Sequence, residues 1–201
     1  MSDRCGLHQF WQEFNELDSD VEYFVTARLF DSTPAIWPDN IDYVRWRHEV
    51  AKRLEVDPMS IQLVGSARLG YSLNPGKNFK MFDLNSDLDI AIISAEIFDQ
   101  TWAELRRFIN ARRDLERNKT YLRKLVFEEC IALDMVLPHL SFGESWSYYR
   151  DEIVALLGRG LENREVNYRL YRNHRALREY QLLGVTTARD RAMEEGFQYV
   201  E

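Results

Sequence analysis

A chain of 201 residues with 45% hydrophobic and 13% aromatic content can build one domain with a sizeable core, or one domain with an appended helical piece. Its formal net charge of −7 excludes nucleic-acid binding by the surface as a whole and leaves only a local basic patch for that role. The two cysteines, Cys5 and Cys130, match no zinc spacing, no apolar run approaches membrane-spanning length, and the opening residues lack the pattern of a signal peptide. A cytoplasmic protein with no membrane partner is expected.

Leu7, Phe10, Trp11, Phe14 and Leu17 recur at helical spacing and predict an amphipathic helix over about 4–17, its aromatic stripe packed on the core. Asp18-Ser19-Asp20 marks a turn and an N-cap for a second helix through Val21, Phe24 and Val25. Ser32-Thr33-Pro34 and Trp37-Pro38-Asp39-Asn40 punctuate a loop before a third helix over about 41–54. Ile41, Val44, His48, Ala51 and Leu54 share the face predicted to be buried, where His48 reads first as a packed histidine and only second as a ligand or base.

The stretch from Ile61 to Ser94 carries the chemistry. Ile61-Gln62-Leu63-Val64 predicts a short strand ending at Gly65-Ser66, and Ser86-Asp87-Leu88-Asp89 runs straight into a second strand, Ile90-Ala91-Ile92-Ile93. Gly65 permits a tight turn, and a short helix from Ala67 to about Leu73 would offer unpaired N–H groups and a positive dipole end to a phosphate. Alternation along a strand puts Asp87 and Asp89 on one face. Two like charges there repel unless a cation lies between them, and hard oxygen ligands at this spacing suit Mg²⁺. A phosphate seat beside a metal-binding pair points to phosphoryl or nucleotidyl transfer; the bland alternative is a strand cap whose aspartates pair with lysines. The insert between the two halves turns at Asn74-Pro75-Gly76 and carries Lys77 and Lys80. It reads as a solvated loop, with a reach over a bound triphosphate as the second reading.

A helix is predicted from about Phe98 to Arg117, with Phe98, Trp102, Leu105 and Ile109 buried and the Arg106-Arg107 and Arg112-Arg113 pairs on a solvated face. The run from Phe127 to Leu137, stopped by Pro138, alternates as a strand in its second half and places Asp134 in its apolar middle. A buried carboxylate needs a reason, and shared metal binding beside the Asp87 strand would supply one. Glu128 and Glu129 are the other candidates for a third carboxylate. The tail is predicted to be helical from Ser147, broken at Gly158-Arg159-Gly160, and helical again from Leu161 to Leu183. That last piece gathers Arg164, Arg169, Arg172, Arg175 and Arg178 among tyrosines, a face for phosphates or for the acidic surface of its own domain.

Gly65-Ser66, then Asp87-Leu88-Asp89 on a strand, then Asp134 further on, resembles the DNA polymerase beta-like nucleotidyltransferase superfamily, over roughly Ile61 to Pro138. The resemblance implies an α/β (α+β) fold, a small mixed sheet backed by helices. Residues 1–138 would form the core with its helical preface and 139–201 a C-terminal helical extension. It also implies two Mg²⁺ ions, or Mn²⁺ in their place, held by Asp87, Asp89 and Asp134. The nucleoside triphosphate, ATP or GTP, would be bound by Gly65 and Ser66 with Arg68, Lys77 and Lys80, and Arg169, Arg172 and Arg175 would contact acceptor or phosphate. The reaction would be in-line attack by an acceptor hydroxyl on the α-phosphate, pyrophosphate leaving. Stand-alone bacterial members of toxin–antitoxin and antiviral defence systems are the nearest in kind, transferring a nucleotide to protein or RNA. A second-messenger synthase, a catalytically silent partner and a nucleic-acid-binding module are the alternatives.

Overall fold

Four strands, β1 (Ile61–Val64), β2 (Leu88–Ile93), β3 (Cys130–Ala132) and β4 (Val166–Tyr171), form one mixed sheet in the spatial order β1-β2-β4-β3. The computed structural model describes residues 5–111, 127–158 and 164–198, together with 120 and 161. β1 is antiparallel to β2, β2 parallel to β4, and β4 antiparallel to β3. Around the sheet lie α1 (Cys5–Glu16), α2 (Val21–Phe24, continuing as a π-helical stretch to Asp31), α3 (Asn40–Leu54), α4 (Ser66–Leu69), α5 (Ala95–Ala111), α6 (Gly143–Ala155) and α7 (His174–Glu194). The protein is an α+β fold with helices ahead of the sheet and a long helix behind it. Among the described residues no helix is long and apolar enough to cross a membrane.

Both faces of the sheet are covered, which is why β2 reads as an almost unbroken apolar run. Leu63, Ile90, Ile92, Tyr168, Leu170 and Ile131 face α3, α5 and α6, where Trp46, Val50, Phe98, Leu105, Trp146 and Ile153 meet them. On the other face Val64, Ala91, Ile93, Cys130 and Tyr171 pack under Ala176 and Leu177 of α7. The far end of α7 closes a second core with α1 and α2, in which Phe10, Phe14, Phe24, Tyr71 and Phe79 are buried with Val185, Ala188 and Ala192. The aromatic stripe of α1 thus packs on the protein's own core, as its spacing predicts. Asp20 caps α2 by accepting from the Tyr23 N–H at 2.8 Å, and Asp39 caps α3 in the same way.

Four expectations need correction. First, α3 is rotated from its predicted face: Tyr43, Trp46, Val50 and Leu54 are buried, whereas Ile41 and Val44 are exposed and His48 faces solvent. The larger rings fill the interior, and the Tyr43 hydroxyl donates to Gln62 Oε1 at 3.1 Å. Second, Leu161–Leu183 is not one helix, because Val166, Tyr168 and Leu170 alternate with Asn167 and Arg169 as a strand and Asn173 caps α7 only afterwards. Third, residues 139–201 are not an extension on a finished core, since β4 sits between β2 and β3 inside the sheet. Fourth, β3 stops at Ala132, so Asp134 lies in the following turn and not within a strand. The predicted continuation of α5 past Ala111 and the break at 159–160 lie outside the described residues.

Candidate functional site

Asp89 is placed by two strands at once. Val64, the residue before Gly65, is its partner in β1, and Asn167 is its partner in β4. The turn at Gly65 then wraps against it. An ideal Cβ on Gly65 would stand 2.6 Å from Asp89 Oδ2, and the backbone there, φ 68° and ψ −152°, belongs to a region that glycine alone occupies freely. The Gly-Ser turn and the second aspartate are therefore in van der Waals contact, so the pairing of the two motifs is physical.

The rest of the site follows. Asn167 Nδ2 donates to Asp89 Oδ1 at 3.3 Å, and Arg169, two residues on and on the same face of β4, presents its guanidinium to the same enclosure. Asp87 lies at the open edge, where Lys77 Nζ of the insert stands 3.5 Å from its Oδ2. A cavity of about 450 Å³ opens in front of these groups. Gly65, Ser66, Lys77, Asp89, Glu128 and Arg169 line it on one side, and the wall beyond is made by α7. The Ser66 hydroxyl makes no hydrogen bond among the described residues.

Burial raises the pKa of Asp89, Asp87 adds to the rise, and Arg169, Asn167 and Lys77 oppose it. Burial also disfavours the charge on Arg169, but Tyr180, Tyr171, Cys130 and Asp89 outweigh it, and Arg169 stays a firmly held cation. The folded chain thus binds the Asp89 proton more tightly than the unfolded chain does. The associated stability is complete below the ordinary aspartate range and is lost as pH rises through the folded value. A cation beside the carboxylate reverses that loss. Mg²⁺ is therefore expected to raise the melting temperature at about pH 7.5 and to lose that effect as the pH falls to about 4, where the proton wins. Calorimetric scans across that range check it, and Asp89→Asn should remove the pH dependence.

Several predicted site residues fall elsewhere. Asp134 Oδ1 accepts from the Tyr168 backbone N–H at 3.0 Å and pairs with Arg150 Nη2 of α6 at 3.2 Å. Its burial is accounted for by closing the end of β3, and β4 separates it from β2. Arg68 turns away from the cavity and is 1% exposed, its Nε donating to the Arg28 carbonyl at 3.2 Å and its guanidinium 5.7 Å from the Tyr43 ring. Lys80 pairs with Asp83 at 2.9 Å, away from the cavity. The basic tail is dispersed: Arg172 meets Asp99 and Glu129, Arg175 meets Glu179, and Arg178 meets Glu22. Arg164 Nη1 donates to the carbonyls of Asp83 and Ser86 and tethers the insert. The insert itself is no solvated loop, because Tyr71 and Phe79 anchor it in the core. The α4 helix is a single turn ending at Leu69, shorter than predicted.

For Mg²⁺ the donor set fits in part. Asp87 and Asp89 with the glycine-lined space beside them suit one ion that fills its shell with water and phosphate. Among the described residues no three histidine, cysteine or acidic side chains gather closely enough to hold a metal by themselves. Reasoning from sequence missed Asn167, Gln181 and the pocket wall of α7. The alternation Val166-Asn167-Tyr168-Arg169-Leu170 was the available signal for the first.

Fold and site together define an α+β protein with a pocket of mixed charge, lined by Asp89, Glu128, Lys77 and Arg169, beside a glycine turn. Comparison of the chain with family models, with curated proteins and with solved structures gives no match.

Proposed function

We propose that the protein is a metal-dependent nucleotidyltransferase that moves a nucleoside monophosphate from its triphosphate to an acceptor hydroxyl. The observation that carries this reading is the contact of the Gly65-Ser66 turn with Asp89, which lines a cavity of nucleotide size, with Asp87 two residues away beside the cavity-lining Lys77. Asp87 and Asp89 would hold Mg²⁺, which supplies charge neutralisation at the triphosphate. The free Ser66 hydroxyl would accept a place on a phosphate oxygen, and Lys77 and Arg169 would balance the remaining negative charge. Glu128 lines the same cavity, but among the described residues it does not gather with Asp87 and Asp89 closely enough to complete a three-carboxylate set. Acceptors in the form of a protein, an RNA or a second nucleotide all suit an open site of this kind.

A silent, nucleotide-binding core is the second reading, favoured by one feature. The strand neighbours of Asp89 in β4 are an amide and a cation, where a third acid would serve a two-metal site. Transfer separates the two. The protein is incubated with each α-labelled triphosphate, Mg²⁺ or Mn²⁺, and a cell extract as acceptor source. Label moving to a larger product, and falling about 10³-fold or more in Asp87→Ala/Asp89→Ala, supports the enzyme. Tight nucleotide binding without transfer supports the silent core, and no nucleotide binding removes both.

A further inference from the structure

Lys77 reaches the cavity from the single 3₁₀ turn Pro75–Lys77, which Asn74 caps by accepting from the Gly76 N–H at 2.8 Å. Apart from the Lys77–Asp87 pair, the hydrogen bonds that residues 74–78 make among the described residues stay within the insert, with one exception. Arg191 of α7 lays its guanidinium on the turn: Nη1 donates to the Pro75 carbonyl and Nη2 to Asn78 Oδ1 at 2.9 Å. These two acceptors flank Lys77 along the chain. A planar guanidinium offers its donors in a fixed fork, so it sets the orientation of what it grips as well as its distance. The Lys77–Asp87 pair does not do this by itself. At 3.5 Å and about half exposed it is a surface pair, and such pairs contribute little.

We propose that Arg191 is a positioning residue for Lys77, holding the turn so that the ammonium stands where the triphosphate needs a cation. The inference rests on the reading of the cavity as a triphosphate site. Pro75 and Lys77 both line that cavity, whereas Arg191 lies outside its lining and meets the turn from a neighbouring hollow that Pro75 and Thr187 share. Its charge is therefore not the one offered to phosphate, and it acts through the lysine. Fixing a long side chain costs rotamer entropy, and a turn already held in place leaves only the lysine stem to be ordered on binding. Thr187, one helical turn before Arg191, lines the cavity itself. The same helix thus builds the wall of the cavity and sets the distance from that wall to Lys77.

The test is calorimetric titration of the whole protein, in Mg²⁺, with inorganic tripolyphosphate and then with ATP. Lys77→Met should weaken both about tenfold, the effect of one charge-assisted contact, and Arg191→Met should weaken them by about the same factor. The double variant should bind no worse than either single one, because the clamp acts only through the lysine. Asn78→Gly keeps the left-handed backbone, φ 47°, and removes one acceptor; it should cost about threefold in the parent and nothing more in Arg191→Met. Arg191→Lys keeps the charge without the fork and should recover only part of the affinity. Full recovery in Arg191→Lys, or losses that multiply in the double variant, would show Arg191 attracting phosphate by its own charge and overturns the positioning role. A folded Arg191→Met or Lys77→Met protein that binds as the parent does overturns it too, and leaves the triphosphate site standing. Failure of the parent to bind either probe overturns the site itself and this inference with it.

Discussion

Gly65→Ala is expected to destabilise the fold by about 2 kcal/mol and to remove metal-dependent nucleotide binding. The cost has two sources of different character. The backbone at Gly65 adopts φ 68° and ψ −152°, where a side chain is strained by roughly 1–3 kcal/mol whatever space surrounds it. The new methyl would also stand 2.6 Å from Asp89 Oδ2. That atom is the end of a side chain and can yield, so the clash is relieved by turning the carboxylate away. Stability then suffers moderately and the site severely. For a chain of this length, roughly 4–8 °C should be lost in melting temperature. Denaturation midpoints and nucleotide titrations on the same sample check both parts. Unchanged binding in a folded Gly65→Ala protein would show that the contact has no bearing on the site.

Arg169→Met should destabilise the fold by about 1 kcal/mol or more near neutral pH and by less in acid. Removing a cation that acts on a buried carboxylate without a direct ion pair leaves that carboxylate less compensated. Here the carboxylate is Asp89, already raised by burial and held down in part by Arg169. Without that cation its folded pKa climbs further above the unfolded value. The stability linked to its proton is present below the ordinary aspartate range and disappears as pH rises through the new folded value. Urea unfolding of parent and variant between about pH 4 and pH 8 measures the difference. An equal loss at both ends would assign the effect to the missing packing of the arginine stem against the Tyr180 ring, 5.5 Å from its guanidinium.

The sequence shows its local rules well and its long-range choices poorly. Asp20 and Asp39 are readable as caps because an N-cap needs only its own next few residues, and the strands Ile61–Val64 and Leu88–Ile93 are bounded by turn residues on the chain itself. The contact of the Gly65 turn with Asp89 is foreshadowed because both lie within one short stretch. Which strand lies beside β2 is another matter. Val166, Leu170, Asn173 and Leu177 satisfy helical spacing, while Val166, Tyr168 and Leu170 satisfy alternation, and only the burial of both sheet faces decides for the strand. Asp134 was misplaced for the same reason. A buried acid asks for a partner, but the sequence does not say that Arg150, on a helix that follows, is that partner. The grip of Arg191 on the insert left no signal at all, since a contact between distant segments is visible only once both are placed.

The insertion of β4 between β2 and β3 also governs the order in which the protein can be built during synthesis. β1 and β2 can pair as soon as the first half of the chain emerges, but the β2 edge that presents Asp89 must then wait for residues 166–171. Until they arrive, that edge carries a row of unsatisfied peptide groups beside an apolar strand, a surface that invites pairing with other chains. The two strands then close together, with the Leu88 N–H donating to the Glu165 carbonyl at 2.8 Å as the first link. The pocket is therefore complete only once β4 and α7 are present. An incomplete chain holds the glycine turn and both aspartates, yet has neither Asn167 nor Arg169 nor the wall of α7, so a nascent protein cannot bind what the finished one is built to hold.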